Sequence, residues 1–367
     1  MADLTFQPNW FSKPGDTLAA LMTRREVTPT FLAEMLGCDP ATVRGLLTGT
    51  TSIDEHLASR LSRAVGGTAC FWQKRQSTYE RSLARAADAV SGDEGVAWLK
   101  RLPIRDMIAS GWIEKFERRD EAVKSCLAYF GVTDPDEWEQ QYADLQSDAA
   151  FRTSPSFTSK LGAVSAWLRQ GEIEAMMVPC DPWSPDGLRA QLDDLRRLTK
   201  ATSLAYSLPR LRTACAAVGV AVVFLRAPTG CPASGAARFV SRDKAMVILS
   251  FRHRSDDHFW FTVFHEIGHL LLHERSATFI DGQATSSGQK ETEANSFAAG
   301  VLIPASRQDE LMRLRPRMQS VVRFAVSVGV SPGVVVGQMQ HRGLIGPEQL
   351  NFLKRRYDWE DIEDALS

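Results

Sequence analysis

The sequence predicts a mainly α-helical protein that contains one small β-sheet. Apolar residues at helical spacing, interrupted by capping residues, run through the first 200 residues. Only two apolar runs rich in β-branched residues indicate strands, AVGVAVVFLR at 217–226 and KAMVILSFR at 244–252. A second series of helical segments follows them. This order predicts an all-helical N-terminal part and a later part that mixes helices with a few strands.

The bulk composition is that of an ordinary globular protein. A chain of 367 residues is long enough for two or three domains, and 44% of its residues are hydrophobic. The formal net charge of -1 creates no global field, so any binding to nucleic acid has to be local. Six scattered cysteines form no CxxC pair, and no run of eighteen apolar residues occurs. We therefore expect a cytoplasmic protein that has no membrane partner.

Four segments follow from the change of pattern along the chain. We predict a compact helical domain at 1–84, a helical connector at 85–200 and a mixed domain at 201–305. A C-terminal helical tail at 306–367 completes the chain, and its charged segment LKRRYDWEDIEDAL is predicted to be a solvated helix. A loop rich in Gly and Ser at 281–289 separates two helices of the mixed domain.

Two short helices joined by a tight turn are predicted near the N-terminus. In VTPTFLAEMLG, Thr28 is the expected N-cap and Gly37 ends the helix. In CDPATVRGLLTG, Asp39 and Gly49 have the same two roles. Ala33 is small enough for the helices to touch, as in a helix-turn-helix. This region resembles the HigA-like branch of Cro/repressor-type proteins, in which a Phe-Trp pair such as Phe71–Trp72 and a later Tyr such as Tyr79 close the bundle.

A helix-turn-helix places the start of its second helix in the major groove of DNA. Thr42 and Arg44 would then lie near bases or phosphates, and Thr48, beyond the end of the helix, is a third candidate for contacting DNA. Residues 1–84 contain nine Lys or Arg against eight Asp or Glu, so the positive charge is weak for a DNA-binding domain. Operator DNA is the expected partner, with a homodimer as one possible form, and a bundle that contacts only protein is the alternative.

The segment HFWFTVFHEIGHLLLHE at 258–274 concentrates histidines on one apolar helix. Five of the seven histidines fall between 253 and 273. His265 and His269 lie four residues apart, so both imidazoles can reach one zinc ion at about 2.0–2.1 Å. Glu266 is rotated off the metal and can take a proton from the attacking water. Gly268 in mid-helix costs roughly 1 kcal/mol relative to Ala, which indicates that something approaches the backbone closely there.

A third protein ligand has to come from elsewhere in the chain. His273 lies eight residues, about 12 Å, from His265 and therefore cannot share one ion with both histidines. In KETEANSFAAGVLIP, Glu291 and Asn295 share a helix face, so Glu291 can bind the metal and Asn295 can support a ligand. Glu293 is offset by about 200° and is expected to face solvent. His273 and Arg252 are further candidates for supporting a ligand or contacting the substrate.

HEIGHLLLH followed by ETEANSFAAGVLIP resembles the ImmA/IrrE family of metallopeptidases. The resemblance implies an α+β zincin-like domain with one zinc ion per chain. It assigns His265, His269 and Glu291 as ligands and Glu266 as the catalytic glutamate. It also implies limited cleavage of a partner repressor or regulator protein. The alternative is a transcriptional repressor or HigA-like antitoxin, whose peptidase-like domain senses or scaffolds without turnover.

Overall fold

The computed structural model describes the chain in five stretches, and its helices and one small sheet confirm the predicted fold class. Contacts divide the described residues into two compact units. The first unit contains residues up to 143 together with 155–177, and the second contains 178–366. The described stretches are 12–90, 92–143, 155–275, 278–280 and 288–366.

The first unit is entirely helical over its described residues. Its second and third helices begin and end where the sequence predicts. Thr28 accepts a hydrogen bond from a backbone N–H at the first start and Asp39 at the second, and Gly37 and Gly49 end the helices with positive φ. The helices of this unit are α1 Pro14–Arg24, α2 Pro29–Leu36, α3 Pro40–Thr48, α4 Glu55–Val65, α5 Ala69–Ala89, α6 Gly92–Arg101, α7 Ile104–Ala109, α8 Arg119–Phe130, α9 Pro135–Gln141 and α10 Pro155–Met177.

One hydrophobic core joins helices α1 to α5. Ala33 is buried between helices as predicted, and Trp72 is completely buried in the same core. Tyr79 is also buried, and its ring lies against the backbone of Gly49. Phe71 is 40% exposed, so the expectation that it closes the bundle is wrong. At the first turn of α5, the helical period turns Trp72 inward and Phe71 toward solvent.

Helix α10 packs on both α3 and α8, within the first unit. The Tyr129 hydroxyl donates to the Ala166 carbonyl at 2.8 Å, and Arg169 donates to the Tyr129 carbonyl at 2.8 Å. These buried bonds join α8 to α10. The division by contacts therefore falls at 177/178, inside the segment 85–200 that the sequence pattern marks as a connector.

The second unit contains a sheet in the order β1-β3-β2-β4. Its strands are β1 Val220–Phe224, β2 Gly235–Ser241, β3 Lys244–Leu249 and the short β4 Phe279–Ile280. Strand β3 runs parallel to β1 and antiparallel to β2. The two strands predicted from sequence are β1 and β3. Strand β2 escapes the pattern because its sequence, GAARFVS, begins with small residues that pack closely under a helix.

The helices of the second unit share one hydrophobic core with this sheet. Among the described residues no single helix is long and apolar enough to cross a membrane. Two successive helices at 318–328 and 332–341 reach that length only together, and they are bent by 108°. The helices of this unit are α11 Pro185–Leu198, α12 Leu204–Ala216, α13 Asp256–Leu272, α14 Gly288–Leu302, α15 Gln308–Met312, α16 Met318–Val328, α17 Pro332–His341 and α18 Trp359–Leu366.

The C-terminal segment is anchored to the start of α13 by two buried aspartates. Asp256 accepts hydrogen bonds from the Ser331 hydroxyl and the Arg355 backbone N–H. Asp257 forms an ion pair with Lys354 at 2.6 Å, and both side chains are about 5% exposed. The expectation that 353–366 is a solvated helix is therefore wrong for its first residues, which hold α13 in place.

Candidate metal centre

Helix α13 places three of the predicted site residues in the interior of the second unit. Asp256 and Asp257 lie in its first turn, where negative charge stabilises a helix N-terminus. Three turns further along, His265, Glu266 and His269 are each at most 2% exposed. Polar side chains that a helix buries need partners inside the protein, either hydrogen-bonding groups or a metal ion.

Helix α14 packs along α13 and brings Glu291 to the two histidines. The Nε2 atoms of His265 and His269 are 3.0 Å apart. The Glu291 carboxylate lies 3.3 Å from the first Nε2 and 3.4 Å from the second. The two distances join different carboxylate oxygens, Oε2 to His265 and Oε1 to His269, and the group could hold a metal ion.

The spacing of these donor atoms fits zinc. Two ligands bound at about 2.0–2.1 Å at tetrahedral angles stand about 3.3 Å apart. The two Nε2 atoms are 3.0 Å apart, and each lies 3.3–3.4 Å from a Glu291 oxygen. Two imidazoles and one carboxylate form a common donor set of catalytic zinc sites, which leave the fourth position for water or substrate. The side chains therefore fit the implied metal in spacing, in number and in chemistry.

The surroundings shift the protonation of Glu291 and His269. Burial alone raises the pKa of Glu291, but hydrogen bonds from His265 and His269 outweigh it and lower that pKa to about 2. Burial lowers the pKa of His269, although Glu291 acts in the opposite direction. A carboxylate that stays ionised and an imidazole that stays neutral are the protonation states that bind a metal cation.

Asn295 fixes the orientation of His265. Its side-chain oxygen lies 3.0 Å from His265 Nδ1, one turn beyond Glu291 on α14. If Nδ1–H donates to this oxygen, the lone pair of Nε2 points toward Glu291 and His269. The structure thus places the predicted supporting residue beside the ligand that it would orient.

His269 is oriented by a chain of two further side chains. His269 Nδ1 lies 3.1 Å from His273 Nδ1, and His273 Nε2 lies 3.2 Å from the Glu293 carboxylate. If His269 keeps its Nε2 free for a metal, its Nδ1–H donates to His273, which then donates its own Nε2–H to Glu293. The His273 side chain is only 3% exposed, whereas that of Glu293 is 45% exposed. The expectation that Glu293 faces solvent was incomplete, because the side chain also contacts His273.

His273→Ala should weaken zinc binding about 10–100-fold, which is the usual cost of removing a partner that orients a metal-bound histidine. Glu293→Gln should weaken it less, because an amide oxygen can still accept the His273 proton. Competition with a chromogenic chelator measures both affinities. Glu274→Gln is the control, since Glu274 is an exposed acid directly after His273. Wild-type zinc affinity in His273→Ala would contradict this orientation of His269.

Glu266 is held against strand β2. A Cβ atom added at Gly235 would lie 2.6 Å from Glu266 Oε1 and 2.5 Å from Thr262 Cγ2. Real Cβ contacts are never that short, so only glycine permits this approach of the strand to the helix. Gly235 was missed in the sequence, because nothing local distinguishes it from the other glycines. The close approach fixes the carboxylate one helical step from His265, one of the residues that could hold a metal ion.

Gly268 permits the close approach of α14 that the sequence predicts. A Cβ at Gly268 would lie 3.0 Å from the Phe297 ring and 3.4 Å from Ala294 Cα. Ala294 and Ala298 are fully buried on the face of α14 that carries Glu291. Small residues on both helices bring the backbones together, so that a short Glu side chain reaches the histidines.

Arg252 lies apart from this group, in the turn between β3 and α13. It is exposed, and its guanidinium donates to the Pro232 carbonyl. The structure thus brings together five predicted site residues: His265, His269, Glu291, Asn295 and His273. Arg252 lies at a neighbouring surface.

The residues predicted to contact DNA lie in the first unit. The Thr42 hydroxyl donates to its own N-cap, Asp39, at 2.7 Å. Arg44 forms an ion pair with Glu174 of α10 at 3.1 Å. Thr48 is the last residue of α3 rather than lying beyond its end, and it is 4% exposed. Because Thr48 is buried, the prediction that it contacts DNA is wrong. Arg44 would have to leave Glu174 to contact DNA.

Comparison with known proteins finds a match only within the second unit. No curated protein and no solved structure matches the chain. Residues 215–338 match the family model Peptidase_M78, the IrrE N-terminal-like domain. The matched segment contains His265, Glu266, His269 and Glu291. This segment is therefore similar to a family of metallopeptidases, in agreement with the resemblance seen in its motifs.

Proposed function

We propose that the chain is a zinc-dependent metalloendopeptidase with one zinc ion bound by His265, His269 and Glu291. The observation that supports this most strongly is that the two Nε2 atoms lie 3.0 Å apart and 3.3–3.4 Å from Glu291 oxygens, beside the buried carboxylate of Glu266. The match of residues 215–338 to a peptidase family supports the same reaction class.

Each side chain has a defined part in hydrolysis. When bound, zinc supplies a Lewis acid that polarises the scissile carbonyl. Glu266 takes a proton from the attacking water and delivers it to the leaving amine nitrogen. Asn295 and the His273–Glu293 pair keep the two imidazoles in the tautomer that leaves Nε2 unprotonated. The surrounding apolar core excludes bulk water from Glu266, which strengthens its electrostatic effect.

The substrate we propose is a specific repressor or regulator protein rather than protein in general. The support is the resemblance of the second unit to ImmA/IrrE peptidases, together with capped helices of the first unit that match a helix-turn-helix. A binding module joined to a peptidase allows selection of a partner before cleavage.

Removal of the metal tests this proposal directly. A peptide mixture derived from a whole proteome contains the recognised segment among its members, so incubation with the full chain should yield a limited set of new N-termini in mass spectrometry. A strong chelator should abolish them, and about one equivalent of zinc per chain should restore them, because the ligand set accommodates one ion. Cleavage that continues in chelator would contradict a metal-dependent reaction.

Binding of operator DNA by the first unit is a second proposal, based on its capped helix pair. The Arg44–Glu174 pair is partly exposed and is therefore worth roughly 0.2–1 kcal/mol. Glu174→Gln should then tighten binding to a DNA sequence selected from a random pool by about 2–5-fold, measured by fluorescence anisotropy. Arg44→Ala should weaken it at least 10-fold, whereas the exposed Arg81→Ala should not. Equal affinities of Arg44→Ala and wild type would exclude α3 as the reading helix.

A further inference from the structure

A cavity of about 440 Å³ lies beside the N-terminal half of α13. Helix α17 forms its opposite wall, and the turn at 251–254 borders it. Cavities of 300–1,000 Å³ typically bind small molecules or a few residues of a peptide. The volume thus accommodates one side chain together with the adjoining peptide backbone.

The cavity is adjacent to the proposed catalytic carboxylate. Thr262 lines it one helical turn before Glu266, and Phe261 lines it with its ring centroid 6.2 Å from that of His265. Ser234, which also lines it, precedes the glycine that lies against Glu266. A peptide whose scissile bond lies at the metal centre can therefore place a neighbouring side chain in this cavity.

One buried polar group of the cavity lacks a partner. Gln338 of α17 is 4% exposed, and its Oε1 atom makes no hydrogen bond within the described structure. An unsatisfied buried amide oxygen destabilises the fold unless a ligand or water satisfies it. Lys354 has no such need, because its ammonium binds both Asp257 and Gln340 at 2.6 Å. Gln338 is thus the group in the cavity that a bound molecule would complete.

The rim of the cavity is positively charged. Its ionised lining residues are Arg252, Lys354 and Asp257, which leave one net positive charge when histidines are neutral. Because Lys354 and Asp257 neutralise each other, that charge is the Arg252 guanidinium. Three histidines line the same cavity and offer further donors, His253, His258 and His341.

The turn that presents Arg252 is held firmly. Phe251 and Arg254 both adopt positive φ, at 54° and 48°, which is costly for residues other than glycine. The Phe251 ring stacks on that of Phe259 at 4.4 Å, and the Tyr357 N–H donates to the Arg254 carbonyl. Contacts on both sides therefore maintain a strained backbone that directs Arg252 and His253 toward the cavity.

We propose that this cavity is a specificity subsite that takes a carboxylate-bearing group, the Asp or Glu side chain next to the scissile bond of the substrate. Arg252 binds the carboxylate through charge-assisted hydrogen bonds, and Gln338 accepts an N–H from the peptide backbone. Phe261, Leu302 and Val334 contact the aliphatic part of the bound residue. This inference deepens the proposed function and rests on it for the identity of the substrate.

A binding experiment tests the cavity without requiring hydrolysis. N-acetyl-glutamate N′-methylamide and its glutamine counterpart are titrated into the zinc-loaded full chain, with binding followed by the NMR signals of the histidine rings. The glutamate compound should bind at least 10-fold tighter, and Arg252→Gln should remove the difference. Arg242→Gln, the same change in the exposed β2–β3 turn, should preserve it. Equal binding of the two compounds, or no effect of Arg252→Gln, would overturn the subsite, and the second result would place the carboxylate on the metal instead.

Gln338→Leu provides an independent variant, because it removes the unsatisfied oxygen without a charge change. It should raise Tm and still lower the affinity for the glutamate compound several-fold. Unchanged affinity would contradict the role of Gln338. Glutarate in the same titration distinguishes the source of the carboxylate. Binding of glutarate without binding of the blocked glutamate would contradict a peptide subsite and indicate a free dicarboxylate.

The positions at which the peptide mixture is cleaved provide a third test of the subsite. Wild-type protein should cut preferentially beside Asp or Glu, and Arg252→Glu should replace this preference with Lys or Arg. If Arg252→Glu leaves the preference for Asp or Glu unchanged, the subsite is overturned, but the proposed peptidase activity is not. Binding of the glutamate compound without any cleavage would instead contradict the proposed function and leave the carboxylate site intact.

Discussion

Glu266→Gln is expected to lower the rate of peptide-bond hydrolysis about 10²–10⁴-fold, the usual contribution of a general base. Glu266 is completely buried one position from a metal ligand, and glycine in the neighbouring strand lets the strand approach it. A glutamine at this position has nearly the same shape, but its amide cannot take a proton from water at neutral pH. Formation of new N-termini per unit time measures the change.

The fold and the metal should survive this substitution. Replacing a buried carboxylate with an amide removes a desolvated charge, so Tm should stay the same or rise. Zinc content, measured by elemental analysis, should remain near one per chain. Glu274→Gln, an exposed acid eight residues further along, should retain the wild-type rate. Glu266→Gln protein that holds zinc and cuts as fast as wild type would exclude Glu266 as the base.

His269→Ala is expected to abolish stoichiometric zinc binding. The substitution removes one of the three candidate ligands and also breaks the contact with His273. A ligand that binds only the folded state stabilises it by about 2.7 kcal/mol at 100 times its Kd. We therefore expect zinc to raise Tm of the wild type by several degrees and to leave His269→Ala unchanged. Differential scanning calorimetry with and without zinc measures both shifts.

The comparison has to separate metal loss from the cavity that the shorter side chain leaves. Metal-free wild type is the correct reference, because the difference between it and metal-free His269→Ala reports packing alone. His56→Ala controls for loss of a histidine, since His56 is exposed in the first unit. An equal zinc-dependent rise of Tm in His269→Ala and wild type would place the metal elsewhere.

Local chemistry made much of this protein predictable from its sequence. Helix ends depend on neighbours in the chain, so Thr28, Gly37 and Asp39 sufficed to place α2 and α3. The histidines of α13 follow from helix geometry alone, because four residues bring His265 and His269 onto one face. The carboxylate on α14 was predicted from the face it shares with Ala294 and Ala298, and the structure brings it to the histidines.

Contacts between distant segments were not predictable in the same way. Gly235 has its role only because β2 passes over α13, and nothing within GAARFVS reports that neighbour. Glu293 contacts His273 across two helices, although the turn angle on α14 alone points it to solvent. Lys354 looks like an ordinary surface charge until its partner Asp257, 97 positions earlier, lies beside it. Pairing of remote charges follows from packing, which a single sequence does not specify.

We propose that one metal ion lies between His265, His269 and Glu291. Anomalous diffraction from crystals of the protein grown with zinc, recorded on both sides of the zinc absorption edge, tests this most directly. We predict one strong peak per chain, about 2.0–2.2 Å from both Nε2 atoms and from one Glu291 oxygen. A crystal with full zinc occupancy elsewhere and no peak among these three side chains would contradict the account.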